Sequence, residues 1–201
     1  MIRVIVFDIG NVLAPFDWEG CLRDHGFSEE MIERIGRATV QDPLWKELDR
    51  SVSFSEELIE GFIANDPEIA LQIRQFLSFS EQTVWEAEYS ADLITRLKEK
   101  GYKVYLLSNY SGRNFQYAKE KFKFIGLADG GVISYEVGSV KPEPEIFRAL
   151  IQKYDLNPEE AVFLDDMKVN IDAAAGHGFR TIQFQNLEQA LEELRRLKVS
   201  I

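Results

Sequence analysis

Four short stretches of the sequence carry side chains that together could transfer a phosphoryl group. Each stretch ends an apolar run or precedes a helical pattern. They contain Asp8, Ser108 with Asn109, Lys141, and Asp165 with Asp166. Because the carboxyl ends of parallel strands meet at one edge of a sheet, where α/β proteins bind ligands, we expect these side chains to converge.

The carboxylates suggest a nucleophile and a metal site. Asp8 could attack phosphorus and form an acyl phosphate, which divides a difficult displacement into two easier steps; the alternative is a turn or cap role after the strand. Asp166 adds a second carboxylate, and Mg²⁺ takes one or two carboxylates together with phosphate oxygens and water. A metal would relieve the repulsion between the converging carboxylates. The alternative for Asp165 and Asp166 is capping of the following helix.

Three other residues are candidates for holding the phosphate. Ser108, Asn109 and the backbone amides of the turn beyond them can donate hydrogen bonds to phosphate oxygens. Asn109 is also common in plain turns. Lys141 would be the point charge that binds the phosphate and offsets the carboxylates, although an isolated lysine is usually solvated.

The elements that must position these residues alternate along the chain. Apolar runs predict strands at residues 2–8, 103–108, 132–134, 161–164 and 181–184. Helical periodicity predicts helices at residues 112–123, 143–154, 169–175 and 187–197. This alternation predicts an α/β fold with a doubly wound parallel sheet.

One long segment interrupts the alternation. Between residues 16 and 88 the sequence shows only helical patterns, at 29–40, 55–65 and 67–79. We therefore expect an α/β core, residues 1–15 and 89–201, and a small helical insertion after the first strand, residues 16–88. The side chains of the insertion that could face the site and select a substrate are Asp17, Trp18, Trp45, Lys46 and Arg50. The alternative is that the tryptophans pack inside the insertion and the charges are solvated.

Composition limits the partners of the chain. The 34 acidic and 23 basic residues give a net charge of -11, which disfavours nucleic acid and anionic membranes. No apolar run is long enough to span a bilayer. The single cysteine, Cys21, cannot form an internal disulfide, and no apolar leader precedes the first strand, so we expect a cytoplasmic protein. The expected partner is a small phosphorylated metabolite, and the chain itself is expected to be a monomer or a small homo-oligomer.

The stretches FDIGNVL, LLSN, VKPEPEIF and FLDDMKVNID resemble, in this order, the four sequence motifs of the haloacid dehalogenase superfamily of phosphohydrolases. The resemblance covers the whole chain and implies a Rossmann-like core with a helical cap where the insertion lies. It implies that Asp8 is both the nucleophile and a Mg²⁺ ligand. The other ligands that it implies are the backbone carbonyl of Gly10 and the carboxylate of Asp166.

The same resemblance implies roles for the remaining motif residues. Ser108 and Asn109 would hold the phosphoryl group, and Lys141 would bind the phosphate and the nucleophile. Asp165 would be the partner of Lys141. Asn170 would orient the loop that carries the acidic pair.

The sequence departs from the family pattern at Gly10. Most phosphatases of the family have a second aspartate there, which acts as general acid and base. The loss of such a group costs on the order of 10² to 10⁴ in rate for a poor leaving group. The anomeric oxygen of a sugar 1-phosphate needs less protonation, and the pattern D-x-G-N-V is similar to a bacterial branch that includes an α-glucose 1-phosphate phosphatase.

Three functions remain open from the sequence. The leading one is a Mg²⁺-dependent phosphatase that acts on a sugar phosphate or related metabolite through an aspartyl phosphate at Asp8. The second is a dehalogenase in which Asp8 attacks a carbon that bears chlorine; Asp166 and the lack of an aromatic residue at position 10 argue against it. The third is a phosphometabolite-binding protein with weak turnover, which Gly10 supports.

Overall fold

The centre of the protein is a parallel five-stranded sheet with the strand order β3-β2-β1-β4-β5. The computed structural model describes all residues from Met1 to Ile201. The strands are β1 (Val4–Phe7), β2 (Lys103–Ser108), β3 (Gly130–Ile133), β4 (Ala161–Asp165) and β5 (Arg180–Gln183). The predicted α/β fold and its parallel sheet are confirmed, and no predicted strand end is displaced by more than two residues.

Twelve α-helices surround and interrupt this sheet. Those between β1 and β2 are α1 (Trp18–Asp24), α2 (Glu29–Ala38), α3 (Trp45–Arg50), α4 (Glu56–Asn65), α5 (Ala70–Ser78) and α6 (Ser90–Glu99). Those that follow β2 are α7 (Gly112–Lys121), α8 (Lys123–Leu127), α9 (Ser134–Val137), α10 (Pro144–Tyr154), α11 (Lys168–Gly176) and α12 (Leu187–Arg196). None of them combines the length and the apolar composition that crossing a bilayer requires.

The central strands are apolar on both faces because helices cover both sides of the sheet. Successive side chains of a strand point to opposite faces, so β1 contributes to two separate cores. Ile5 and Phe7 pack against α6, α7, α8 and α12, whereas Val4 and Val6 pack on the face covered by α10 and α11. Burial of one side chain such as Phe7 stabilises the fold by about 1.5–3 kcal/mol.

A third apolar core lies entirely between β1 and β2. Its ten fully buried residues, from Leu22 to Leu77, come from helices α1 to α5 and the turns between them. Residues 16–88, here called the helical segment, therefore bury apolar surface of their own. The segment begins directly after the turn that follows β1, which places it near the carboxyl edge of the sheet.

Candidate active site

Three strand ends place polar side chains at one edge of the sheet. In the sheet register Phe7 lies between Leu106 of β2 and Leu164 of β4. The backbone amide of Asp8 donates to the carbonyl of Leu164 at 2.9 Å and so extends β1 by one residue. Asp8 thereby lies beside the ends of β2 and β4, which are Ser108 and Asp165.

Lys141 joins the two acidic strand ends. Its ammonium Nζ lies 2.8 Å from Oδ1 of Asp8 and 2.6 Å from Oδ2 of Asp165. The Lys141 side chain is only 1% exposed and the Asp165 side chain is fully buried. Burial alone would lower the pKa of Lys141, but the charges of Asp8 and Asp165 outweigh it and raise that pKa. Lys141 is therefore held as a cation beneath the site.

Asn109 fixes the backbone that carries this lysine. Its amide Nδ2 donates to the Lys141 carbonyl at 3.1 Å, and its Oδ1 accepts from the Lys141 amide at 2.7 Å. The side chain thus satisfies both backbone groups of Lys141, as a neighbouring strand would. In this arrangement Asn109 positions the lysine, in addition to the phosphate contact expected from the sequence.

The turn beyond Ser108 offers fewer free donors than the sequence suggests. The backbone amide of Tyr110 donates to Oγ of Ser134 at 2.8 Å. The amide of Gly112, the first residue of α7, donates to the carbonyl of Ser51 at 2.9 Å. These two amides hold neighbouring loops together, so the expectation that the turn amides bind phosphate does not extend to them.

Both carboxylate oxygens of Asp165 accept hydrogen bonds from the protein. Its Oδ1 accepts from the Met167 amide at 2.8 Å, and Nδ2 of Asn170 lies 3.0 and 3.1 Å from its two oxygens. Asn170, on α11, thus contacts the acidic residue that ends β4 across the loop between the two elements. Its own Oδ1 is the one buried side-chain oxygen or nitrogen without a hydrogen-bond partner.

The turn after β1 positions Asp166 from the other side. Asn11 adopts a left-handed backbone with φ of 55°, a conformation that asparagine tolerates better than most residues. Its Nδ2 donates to Oδ2 of Asp166 at 3.1 Å, and its Oδ1 accepts from the amide of Phe16 at 3.1 Å. Asn11 lies inside the FDIGNVL stretch, but no role for it follows from the sequence alone. Beside it, Gly10 has open space where a Cβ would lie.

These side chains open onto one cavity of about 210 Å³. All the predicted site residues except Asp165 line it, namely Asp8, Gly10, Ser108, Asn109, Lys141, Asp166 and Asn170. Asp165 lies behind Lys141, fully buried. The predicted residues are therefore brought together, and their individual roles remain predictions.

The cavity is short of positive charge. Its charged lining consists of the carboxylates of Asp8, Asp49 and Asp166 and a single cation, Lys141. Burial raises the pKa of Asp8 to about 7, with Lys141 opposing the shift and Asp165 adding to it. Burial also raises the pKa of Asp49 to about 7, and that of Asp166 in the same direction. A phosphate dianion would add further negative charge, so this lining favours a divalent cation.

The residues fit a bound magnesium ion. Asp8, Asp165 and Asp166 each offer an oxygen, and these oxygens lie within 4.8 Å of one another. A hard cation with oxygen ligands suits such a cluster, and one or two of the carboxylates would bind it directly. The unpartnered Oδ1 of Asn170 could accept a hydrogen bond from water in its coordination shell. Asp8 and Asp166 are the two carboxylates that also face the cavity.

The helical segment contributes Asp49, which no sequence motif indicates. Asp49 lies on α3, and Trp45, one helical turn earlier, lines the same cavity. Trp45 also packs against Phe62 and Phe76 of the segment, so it belongs both to the cavity wall and to the third core. Arg50, the last residue of α3, does not line the cavity and pairs with Glu143 of the α/β core.

The other candidates in the helical segment have structural surroundings. The carboxylate of Asp17 caps α1 by accepting from the amide of Gly20 at 2.7 Å. Trp18 packs so closely on α2 that a Cβ at Gly36 would lie 2.3 Å from its ring. Lys46 is exposed. For these three residues the alternative of packing and solvation is correct.

Comparison with known proteins identifies a protein family to which this chain is similar. The model of haloacid dehalogenase-like hydrolases matches residues 2–178. Over 97% of this chain, the sequence is 30% identical to mouse acyl-CoA dehydrogenase family member 10, of which the match spans only 19%. It is 29% identical to D-ribitol-5-phosphate phosphatase of Bacteroides thetaiotaomicron, over 96% of this chain and 97% of that protein.

A solved structure shares the architecture. A haloacid dehalogenase family enzyme from Bacteroides thetaiotaomicron, in complex with magnesium and inorganic phosphate, superposes with a TM-score of 0.71. The two chains are 26% identical, and the match covers 92% of this chain and 95% of that one. The fold described above thus has a counterpart whose structure contains both magnesium and inorganic phosphate.

Proposed function

Because this chain belongs to the haloacid dehalogenase-like hydrolases, we propose that it is a Mg²⁺-dependent phosphatase acting on a small phosphorylated metabolite. The observation that carries the proposal is the buried contact between Asp8 and Lys141 beside the cluster of three carboxylates. Such an arrangement supplies a nucleophile, a cation for phosphate oxygens and ligands for a divalent ion. The proposed intermediate is an aspartyl phosphate at Asp8.

In the proposed mechanism the protein holds the phosphorus atom against Asp8. Lys141 and Ser108, both on the cavity wall, bind the non-bridging oxygens of the phosphoryl group that is transferred. When bound, Mg²⁺ neutralises phosphate charge and keeps Asp8 ionised as a nucleophile despite its raised pKa. Asn109 and Asp165 keep Lys141 in place through its backbone and its ammonium group. Water then releases phosphate from Asp8.

The proposed substrate class is a sugar or sugar-alcohol phosphate. A relative that matches nearly end to end acts on D-ribitol 5-phosphate, as its name states. The cavity, at about 210 Å³, suits a small molecule, and its wall includes the aromatic rings of Phe16 and Trp45 beside polar groups such as Asn114. Aromatic faces and amides are suited to the apolar faces and hydroxyl groups of a polyol.

The experiment is a phosphate-release assay on a panel of sugar, sugar-alcohol and simple alkyl phosphates. We expect release with Mg²⁺, loss of release with EDTA, and loss in Asp8→Asn. Asp92→Asn is the matched control, because Asp92 is an exposed aspartate on α6 that does not line the cavity. Release that persists in Asp8→Asn, or chloride release from 2-chloro acids in place of phosphate release, would contradict the proposal.

A further inference from the structure

We propose that Asp49 of the helical segment is the general acid and base of this hydrolase and does the work that a carboxylate at position 10 cannot do here. The proposal rests on the phosphatase function proposed above. It concerns the proton that the departing alcohol needs, which neither Asp8 nor Lys141 is placed to give. Asp8 is the attacking group, and Lys141 is held by two ion pairs at 2.8 and 2.6 Å.

The first support is the position of Asp49. It lines the same cavity as Asp8 and Gly10 but enters from α3 of the helical segment, whereas Asp8 enters from the sheet edge. In an in-line displacement the leaving oxygen and the later attacking water occupy the same side of phosphorus, away from the nucleophile. One carboxylate outside the sheet edge can therefore serve both steps.

The second support is that contacts on both sides of Asp49 fix its backbone. The carbonyl of Asp49 accepts from Oγ of Ser134 at 2.6 Å. Next along the chain, Arg50 donates to Oε2 of Glu143 at 2.7 Å, and the carbonyl of Ser51 accepts from the α7 amide described above. Three successive residues of the helical segment are thus tied to the α/β core. A catalytic side chain needs this kind of rigid support.

The third support is that the Asp49 carboxylate has no hydrogen-bond or ion-pair partner in the structure. Its neighbours on α3, Glu47 and Arg50, pair with each other, and Arg50 also pairs with Glu143. Asp49 is half-buried on the cavity wall, so its unpaired carboxylate is available to a bound substrate, and an unpaired acidic group with a perturbed pKa in a cleft is a candidate for proton transfer. Its raised pKa, about 7 through burial with the charge of Asp8 adding to it, suits a group that must carry a proton at neutral pH.

The chemistry balances with this assignment. An oxygen of Asp8 bonds to phosphorus as the bond from phosphorus to the ester oxygen breaks. The ester oxygen takes the proton of the Asp49 carboxyl and leaves as the alcohol. Asp49, now a carboxylate, takes a proton from the water that attacks the phosphorus of the aspartyl phosphate. The bond from phosphorus to Asp8 breaks, inorganic phosphate forms, and both carboxyl groups return to their starting states.

The test compares substrates that differ in their need for a proton. For Asp49→Asn we expect kcat/KM on a simple alkyl phosphate to fall by about 10² to 10⁴. On p-nitrophenyl phosphate, whose leaving group departs without a proton, we expect a fall of less than about 10-fold, because kcat/KM reports only the steps up to alcohol release. Turnover of that substrate should then show a burst of nitrophenolate equal to the enzyme concentration, because water attack has lost its base.

A matched control and a rescue complete the experiment. Glu47→Gln removes an exposed carboxylate from the same helix and should keep both activities. Gly10→Asp, added to Asp49→Asn, should restore alkyl phosphate hydrolysis at least about 10-fold, because a side chain at position 10 meets no atom within 4 Å of its Cβ.

The outcomes separate this inference from the function on which it rests. Equal losses of kcat/KM on the two substrates, an Asp49→Asn variant as active as Glu47→Gln, or no rescue by Gly10→Asp would each overturn the role of Asp49. If Asp8→Asn still abolishes phosphate release in such a case, the proposed phosphatase function stands. A wild-type protein that releases phosphate from neither substrate would refute both.

Discussion

Replacement of Lys141 by methionine is expected to remove a large part of the free energy of unfolding in the absence of metal. Methionine has nearly the same length but no charge, so Lys141→Met leaves the carboxylates of Asp8 and Asp165 without their shared cation. Both ion pairs are short, at 2.8 and 2.6 Å, and the lysine side chain is 1% exposed. Breaking a buried pair of this kind costs about 3–5 kcal/mol, out of a total of roughly 5–15 kcal/mol for a typical domain.

The assay is urea unfolding in EDTA, followed by tryptophan fluorescence. At pH 7.5 we expect the free energy of unfolding of Lys141→Met to be about 3–5 kcal/mol below wild type. Burial already raises the pKa of Asp8 although Lys141 opposes the shift, and loss of Lys141 removes that opposition. The folded-state pKa of Asp8 then lies further above its unfolded value of about 3.9, so its destabilising effect grows as pH rises through that value. The deficit should therefore narrow toward pH 4, where Asp8 is neutral in the folded state.

Two further measurements decide whether the charge is the cause. The double variant Lys141→Met with Asp8→Asn removes one of the two unpaired carboxylates and should recover more than half of the lost free energy. Added Mg²⁺ should stabilise Lys141→Met, because a cation at the carboxylate cluster supplies the missing charge. A loss below about 1 kcal/mol at pH 7.5, or a deficit that does not change with pH, would refute the reasoning.

Three other perturbations follow from the contacts around the site. Asn109→Ala should cost about 1–3 kcal/mol in urea unfolding, since it leaves the amide and carbonyl of Lys141 without partners. Asp49→Asn should raise Tm at pH 8 in EDTA and have little effect at pH 4. Burial raises the pKa of Asp49 from its ordinary value of 3.8 to about 7, so wild-type stability is lost as pH rises through this window. Arg50→Gln should make the free energy of unfolding less dependent on pH between 4.5 and 2. In the wild type, Arg50 lowers the pKa of Glu143 to about 2, so the pair stabilises the fold above pH 4.5 and this stabilisation disappears as pH falls toward 2. An acid unfolding profile of Arg50→Gln identical to wild type would contradict the last prediction.

Most of the α/β core could be predicted because its signals are local. Its strands are short apolar runs that end in polar residues, and helices such as α10 and α12 show a clear 3.6-residue period. The short helices α3, α8 and α9 span six residues or fewer, too few to show such a period. Helix α6 is absent from the sequence predictions, although Leu93, Ile94 and Leu97 have helical spacing and are all buried.

The predicted site residues share one property, which is that each adjoins a strand end or a helix start. Strand register then brings them together, so the convergence of Asp8, Ser108 and Asp165 follows from the order of the strands. The dual contact of Asn109 with the backbone of Lys141 does not follow, because it depends on how two loops pack 32 residues apart. Asn11 is similar, since its partner Asp166 is 155 residues away.

Local sequence patterns do not predict a role for Asp49, and its position at the cavity changes the interpretation of Gly10. Asp49 is one of 34 acidic residues, and its place at the cavity depends on contacts such as that from Ser134, 85 residues along the chain. From the sequence, Gly10 alone suggests either weak catalysis or a leaving group that needs less protonation. With Asp49 as the acid, position 10 can be glycine without either consequence. The proton donor then belongs to the helical segment, so catalysis depends on that segment staying attached to the core through Arg50 and Glu143. Arg50→Gln should therefore lower kcat/KM on alkyl phosphates more than on p-nitrophenyl phosphate, and equal effects on the two substrates would show that the attachment does not position the acid.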